Sequence, residues 1–233
     1  MVELVDLSIP LDASTQVYPG DPVFLSSPAT TLAVEGFHVQ QISMGSQTGT
    51  HVDAPWHFAQ DGLRIDEVPL SRFVCRLVLA DVRGLPPRSA IGWDRLAPLR
   101  SALGPDAALV LHTGWPVHRG TDAYFDHPYL DADACARALA LGVRTFGLDA
   151  PNLDETRFDR PAAEGFASHR LIAAVDGVIV ENLCRLEDLD GDPYLLSVLP
   201  LRLTGADGAP CRAVALRVPC GFSGARCITT DSR

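Results

Sequence analysis

Apolar positions fall in short runs separated by Gly, Pro, Asn and Asp, a pattern that predicts mixed α and β structure, an α/β chain. Strands are expected over residues 4–9, 39–44, 74–81, 108–112, 145–148, 178–180, 195–201 and 213–218. Several of these runs are continuous and apolar, as in strands covered on both faces. Helical spacing is scarcer. Residues 131–141 start on a capping Asp131, stop at Gly142 and place Ala134, Cys135, Ala138 and Leu139 on one face. Residues 93–103 form a second candidate helix, interrupted at Pro98, and 168–175 a third, closed by Asp176-Gly177. No repeat or polar linker divides the chain, so residues 1–218 read as one domain. The tail, 219–233, shows no periodicity and is expected to be mobile.

Composition narrows the chemistry. The 233 residues are 47% hydrophobic and 21% charged, enough apolar surface for a sizeable core. All 19 basic residues are arginine, which excludes lysine Schiff bases, a Walker-type lysine and pyridoxal phosphate attachment. A net charge of -10 and scattered arginines argue against nucleic acid. No apolar run approaches the roughly 20 residues that span a bilayer, so no membrane partner is expected. The start carries no basic and apolar leader pattern, and six cysteines form no C-x-x-C pair. A reduced, cytoplasmic protein acting on a small molecule is the expectation, its chemistry resting on seven histidines, 29 carboxylates or a metal.

The densest polar cluster runs Gln47-Thr48-Gly49-Thr50-His51-Val52-Asp53-Ala54-Pro55-Trp56-His57. Its candidate ligands occupy odd positions and share a face in an extended chain. Pro55 separates the pattern from a helical H-E-x-x-H site. His51 and Asp53 lie roughly 7 Å apart at strand spacing, close enough to converge on one ion. Residue 47 needs a bend to join them, and Gly49 permits one. Imidazole with carboxylate and no thiolate suits zinc or manganese. A plain hydrogen-bonded His51–Asp53 pair, with His57 incidental, fits the same spacing.

This stretch resembles the H-x-G-T-H-x-D-x-P-x-H signature of the putative cyclase family, the group of bacterial kynurenine formamidases and isatin hydrolases. The resemblance extends through Asp6-Leu7-Ser8-Ile9-Pro10-Leu11, Tyr18-Pro19-Gly20-Asp21-Pro22, His112-Thr113-Gly114-Trp115 and Gly147-Leu148-Asp149-Ala150-Pro151-Asn152-Leu153-Asp154. It continues at His169, Val180-Glu181-Asn182-Leu183 and 200–218. It implies a swivelling β/β/α domain, usually a homodimer or homotetramer, with the N-terminal segment of one subunit often lining its neighbour's pocket. It also implies that His51, Asp53, His169 and Glu181 bind one or two divalent ions, zinc or manganese, and that His57 does acid/base work. The family's first histidine is Gln47 here, which is either a weaker amide ligand or a residue that hydrogen-bonds the ligands.

The implied reaction is attack of activated water on a formamide, amide or lactam carbonyl, of the N-formylkynurenine to kynurenine type, with Glu181 binding metal or orienting water. A serine hydrolase is disfavoured because no G-x-S-x-G motif occurs. A biosynthetic cyclase or dehydratase using the same metal on a polyketide-like or other carbonyl substrate is a second reading, and a binding protein that retained the fold a third. Tyr18, Phe24, Phe37 and Trp56 are candidate pocket aromatics for a flat substrate, though packing explains them equally. His112 is either a pocket residue or a core histidine. His118 and His127 are expected in solvated loops, and His38 at a strand entrance.

Overall fold

The computed structural model describes residues 3–159, 165–191 and 193–218, and the expectation for the tail from 219 lies outside the described residues. Thirteen strands and four α-helices are formed among them. In chain order the strands are β1 Leu4–Asp6, β2 Leu25–Thr30, β3 Val39–Ser43, β4 His51–Asp53, β5 Val74–Asp81, β6 Ala90–Ile91, β7 Ala107–His112, β8 Tyr129–Leu130, β9 Thr145–Leu148, β10 Val178–Glu181, β11 Tyr194–Ser197, β12 Gly208–Pro210 and β13 Val214–Arg217. The helices are α1 Leu32–Glu35, α2 Trp93–Leu96, α3 Ala132–Ala140 and α4 Ala167–Ala173.

Nine strands make one curled sheet in the order β1-β13-β11-β5-β7-β9-β10-β4-β12. Its centre, β5-β7-β9-β10, is parallel, and the remaining pairs are antiparallel. Parallel neighbours need crossovers, which here run through α2, α3 and α4 in turn. Asp131 caps α3 by accepting the amides of Asp133 and Ala134 at 2.9 and 3.2 Å.

Alternation along the strands divides the interior into two cores. Leu109, Leu111, Phe146, Leu148 and Ile179 face one side with Ala134, Cys135, Ala138 and Ile172 of the helices. Ala108, Val110, Val178, Val180 and Val52 face the other. In β10 the residue after Val180, Glu181, is thereby returned to the helix side.

The structure departs from these expectations in several places. The strand over 4–9 stops at Asp6. The helix over 93–103 is one turn of α2 followed by a 3-10 segment, Ala97–Ala102, because Pro98 cannot donate to a continuing α-helix. The strand over 195–201 stops at Ser197, ahead of Pro200. The polar run Leu25–Thr30 pairs with β3 as a separate hairpin, with Leu25, Val34, Phe37 and Ile42 all more than half exposed.

Candidate metal centre and active site

β4 lies between β10 and β12, and its register builds the site. His51 is paired with Glu181, and Asp53 with Ile179, so the imidazole and both carboxylates stand on the helix side of the sheet. Val52, between them, points into the opposite core. Pro55 then opens the 3-10 turn Pro55–His57, which carries His57 and Phe58 out of the strand. His169 comes from α4, which packs over the same face. His51, Asp53, His169 and Glu181 are all buried.

The four side chains form two halves. His51 Nε2 is 3.3 Å from Asp53 Oδ1 and 3.7 Å from Glu181 Oε2. His169 Nε2 is 3.5 Å from Asp53 Oδ2 and 3.3 Å from Glu181 Oε1. Each carboxylate thus gives one oxygen to each imidazole. The outer ring nitrogens are held elsewhere: His51 Nδ1 donates to Gly49 O at 2.8 Å, and His169 Nδ1 to Asp154 Oδ2 at 2.7 Å. Both Nε2 atoms therefore face the carboxylates.

The halves differ in how far they are satisfied. Glu181 Oε1, in the His169 half, accepts the Leu153 amide at 2.8 Å. In the His51 half, Asp53 Oδ1 is buried without a hydrogen-bond partner; Gln47, which lines the same cavity, has a buried Oε1 that is likewise unpartnered. Ligand atoms of His51, Asp53 and Glu181 lie within 4.8 Å of one another. Imidazole nitrogen with carboxylate and amide oxygen is a donor set for zinc or manganese, and an orphaned buried oxygen beside it fits a cation.

Electrostatics agree with that fit. Burial opposes the His51 imidazolium, but Asp53 and Glu181 more than offset it and raise its pKa to about 9. Burial equally opposes ionisation of Asp53, yet the His169 and His51 imidazoles beside it hold its carboxyl well below the usual range. Glu181 is pushed up by burial and by the charge on Asp53, only partly relieved by His169. Two carboxylates this close, deep in the protein, call for added positive charge.

Gln47 and His57 meet on a residue that sequence reasoning missed. Asp207 Oδ2 accepts Gln47 Nε2 at 2.8 Å and lies 3.0 Å from His57 Nδ1. Burial disfavours the His57 imidazolium, but Asp207 and Asp53 outweigh it and raise the pKa. Gly49 adopts φ +69°, the left-handed bend that L side chains rarely take, between Gln47 and the strand. Asp154 was likewise missed; it also accepts the amides of Ser168 and His169, fixing the start of α4.

Above these groups opens a cavity of about 280 Å³, lined by Gln47, His51, Asp53, His57, His169 and Glu181 and walled by Tyr18, Phe58, Tyr124, Phe125 and Phe166. Phe58 lies 4.4 Å from the His169 ring and 4.9 Å from Phe166, centroid to centroid. Of the aromatics chosen from sequence, only Tyr18 lines it. Trp56 stacks against the Arg64 guanidinium at 3.3 Å, Phe24 is buried elsewhere, and Phe37 is exposed on the hairpin. His112 is buried 4.0 Å from Asp149 and does not line the cavity. His118 packs on Trp115 at 4.3 Å. His127, expected in solvent, is buried between Pro128 O and Thr156 Oγ1, both at 2.9 Å, the second contact coming from a segment 29 residues further along the chain.

Fold and site together define an α/β protein with a buried His/Asp/Glu group that could hold a metal ion, and similarity makes the assignment specific. Residues 5–155 match the family described as Putative cyclase. The chain is 33% identical to a kynurenine formamidase of Paracidovorax citrulli over 93% of its own length and 97% of that protein. It is 33% identical to a kynurenine formamidase of Geobacillus thermodenitrificans over 91% and 96%. Among solved structures, isatin hydrolase A from Ralstonia solanacearum superposes with a TM-score of 0.84 at 21% identity, covering 93% of this chain and 92% of that one. A potential metal-dependent hydrolase with cyclase activity gives 0.75 at 24% identity, over 94% and 99%. The chain belongs to the putative cyclase family.

Proposed function

We propose that the protein is a metal-dependent hydrolase of non-peptide C–N bonds, acting on an aromatic formamide, amide or lactam such as N-formylkynurenine. The observation that carries the reading is the buried His51–Asp53–Glu181 group, with its orphaned Asp53 oxygen, at the floor of an aromatic-walled cavity. Relatives at 33% identity across nearly the whole chain, named kynurenine formamidases, support the same chemistry.

One divalent ion, zinc or manganese, is expected in the His51 half, held by His51, Asp53, Glu181 Oε2 and the amide oxygen of Gln47. Bound there, it would lower the pKa of water and polarise the scissile carbonyl. The protein's own groups do the rest. His57, its Nδ1 engaged by Asp207, keeps Nε2 for taking a proton from the attacking water and returning it to the leaving nitrogen. Phe58, Phe125, Phe166 and Tyr18 offer faces and edges on which a flat ring can stack. His169, held by Asp154, faces one oxygen of Asp53 and one of Glu181 with its Nε2.

A homo-oligomer, dimer or tetramer, is proposed from the β2–β3 hairpin. An isolated two-stranded hairpin is marginal in water, and this one displays Leu25, Val34, Phe37 and Ile42 without cover among the described residues. Four free cysteines among the described residues, Cys75, Cys135, Cys184 and Cys211, suit a reducing, cytoplasmic setting. No helix among the described residues is long and apolar enough to cross a membrane.

The test is formate release from N-formylkynurenine by metal-stripped and metal-restored protein. Activity lost on stripping and regained with zinc or manganese is expected. Full activity after verified stripping contradicts the reading, and a metal-loaded protein inert on formamides and lactams favours the cyclase or dehydratase alternative.

A further inference from the structure

Asp207 stands immediately before β12, and its carbonyl accepts the Ala54 amide at 2.9 Å, tying it to the strand that carries His51 and Asp53. Its carboxylate gathers three donors. Ser46 Oγ donates to Oδ1 at 2.8 Å, Gln47 Nε2 to Oδ2 at 2.8 Å, and His57 Nδ1 sits 3.0 Å from Oδ2. A carboxylate only accepts, so the identities of the atoms facing it are settled by chemistry. His57 must carry a proton on Nδ1. Gln47 must turn its NH₂ toward Asp207 and its Oε1 away, and that Oε1 is left buried without a partner. Residue 208 has to be glycine for this approach, since a Cβ there would lie 2.7 Å from Gln47 Nε2 and 2.6 Å from Val52 O.

We propose that Asp207 is a positioning residue that serves two atoms at once, fixing the His57 tautomer that leaves Nε2 as proton acceptor and the Gln47 orientation that leaves Oε1 for a divalent cation. The second effect is chemical as well as geometric. An amide that donates to a carboxylate is polarised, which makes its oxygen a better ligand. Asp207 thereby offsets the weakness of glutamine where the family signature carries histidine. The role of His57 rests on the hydrolase reading; the tautomer and the amide orientation do not.

The test uses the full chain, with zinc as the metal probe. Nitrogen-15 NMR of the zinc-loaded protein, recorded at a pH where the His57 ring is neutral, is expected to show it as the Nδ1–H tautomer, and the Nε2–H tautomer there overturns the proposal without any variant. Asp207→Asn keeps the shape of the side chain but is no longer acceptor-only; Asp207→Glu keeps the carboxylate. The Asn variant is expected to lose the tautomer preference and bind zinc about 10- to 100-fold more weakly. Its kcat on N-formylkynurenine should fall by roughly 10²-fold or more, with KM moved by no more than about threefold. The Glu variant should retain the Nδ1–H form. In a Gln47→Ala background, Asp207→Asn should bring no further loss of zinc affinity, because Asp207 acts on the metal through Gln47. Equal losses with and without Gln47 overturn the coupling. If no turnover is found in any form, the hydrolase reading fails, while the tautomer and zinc measurements still decide the role of Asp207.

Discussion

His51 and His127 are buried to nearly the same depth, 3% and 1% exposed, and their imidazoles are pushed in opposite directions. His127 is held by a backbone carbonyl and a hydroxyl, and burial lowers its pKa to about 4. Burial acts on His51 in the same sense, but Asp53 and Glu181 reverse the outcome, to about 9. The lesson is that depth alone does not set the charge of a buried histidine. Carboxylates placed by the β4–β10 ladder do, because they create a local excess of negative charge that His127 lacks.

The largest expected effect comes from removing the shared carboxylate. Asp53 touches both imidazoles, so Asp53→Asn should abolish tight metal binding and cut turnover by at least about 10³-fold, the equivalent of several kcal/mol of charge stabilisation. Metal content by mass spectrometry and formate release check it. Retained metal with retained turnover would break the contrast between the two regions.

The other side of the comparison is a stability measurement. The folded pKa of His127 lies below the ordinary value of 6.5, so the unfolded chain binds more protons between pH 6.5 and about 4. Its contribution is fully present above pH 6.5 and is lost as pH falls toward 4, up to about 3 kcal/mol. Urea denaturation across that window should show the loss in the native protein and a smaller pH slope in His127→Gln. A slope unaltered by the substitution would mean that His127 is not the group responsible.

The smallest effect separates the two halves of the site. Asp154 acts on metal only through His169, so Asp154→Asn should weaken metal binding by no more than about 10- to 100-fold and leave the His51 half loaded. Calorimetric titration with zinc measures it. Complete loss of metal would shift the ion toward the His169 half.

How much of this was legible in sequence follows from how local each signal is. His51 and Asp53 share a face because strand side chains alternate, and two residues suffice to read that. The helix over 131–141 was legible because its cap, periodicity and closing Gly142 all lie within a dozen residues. Glu181 and His169 came only through family resemblance, since nothing local to either indicates that a ladder and a helix will bring them to His51. Asp207 was invisible: it sits in Thr204-Gly205-Ala206-Asp207-Gly208-Ala209-Pro210, which reads as a turn, and its partnership with His57 exists only because β12 pairs with β4 across some 150 positions. The residue pattern alone did not show β12 either, Gly and Pro being poor strand signals, and only the family resemblance over 200–218 covered it. His127 was misplaced because turn residues around it read as surface, whereas Thr156, distant in sequence, meets its ring in the interior.

Anomalous diffraction from crystals of the full chain, recorded at the zinc and manganese edges, tests the central claim most directly. A peak bounded by His51, Asp53 and Glu181, with Gln47 Oε1 turned toward it, is the result predicted. Absence of a peak from protein supplied with both metals, or a peak held by His169 with the His51 half empty, would contradict it.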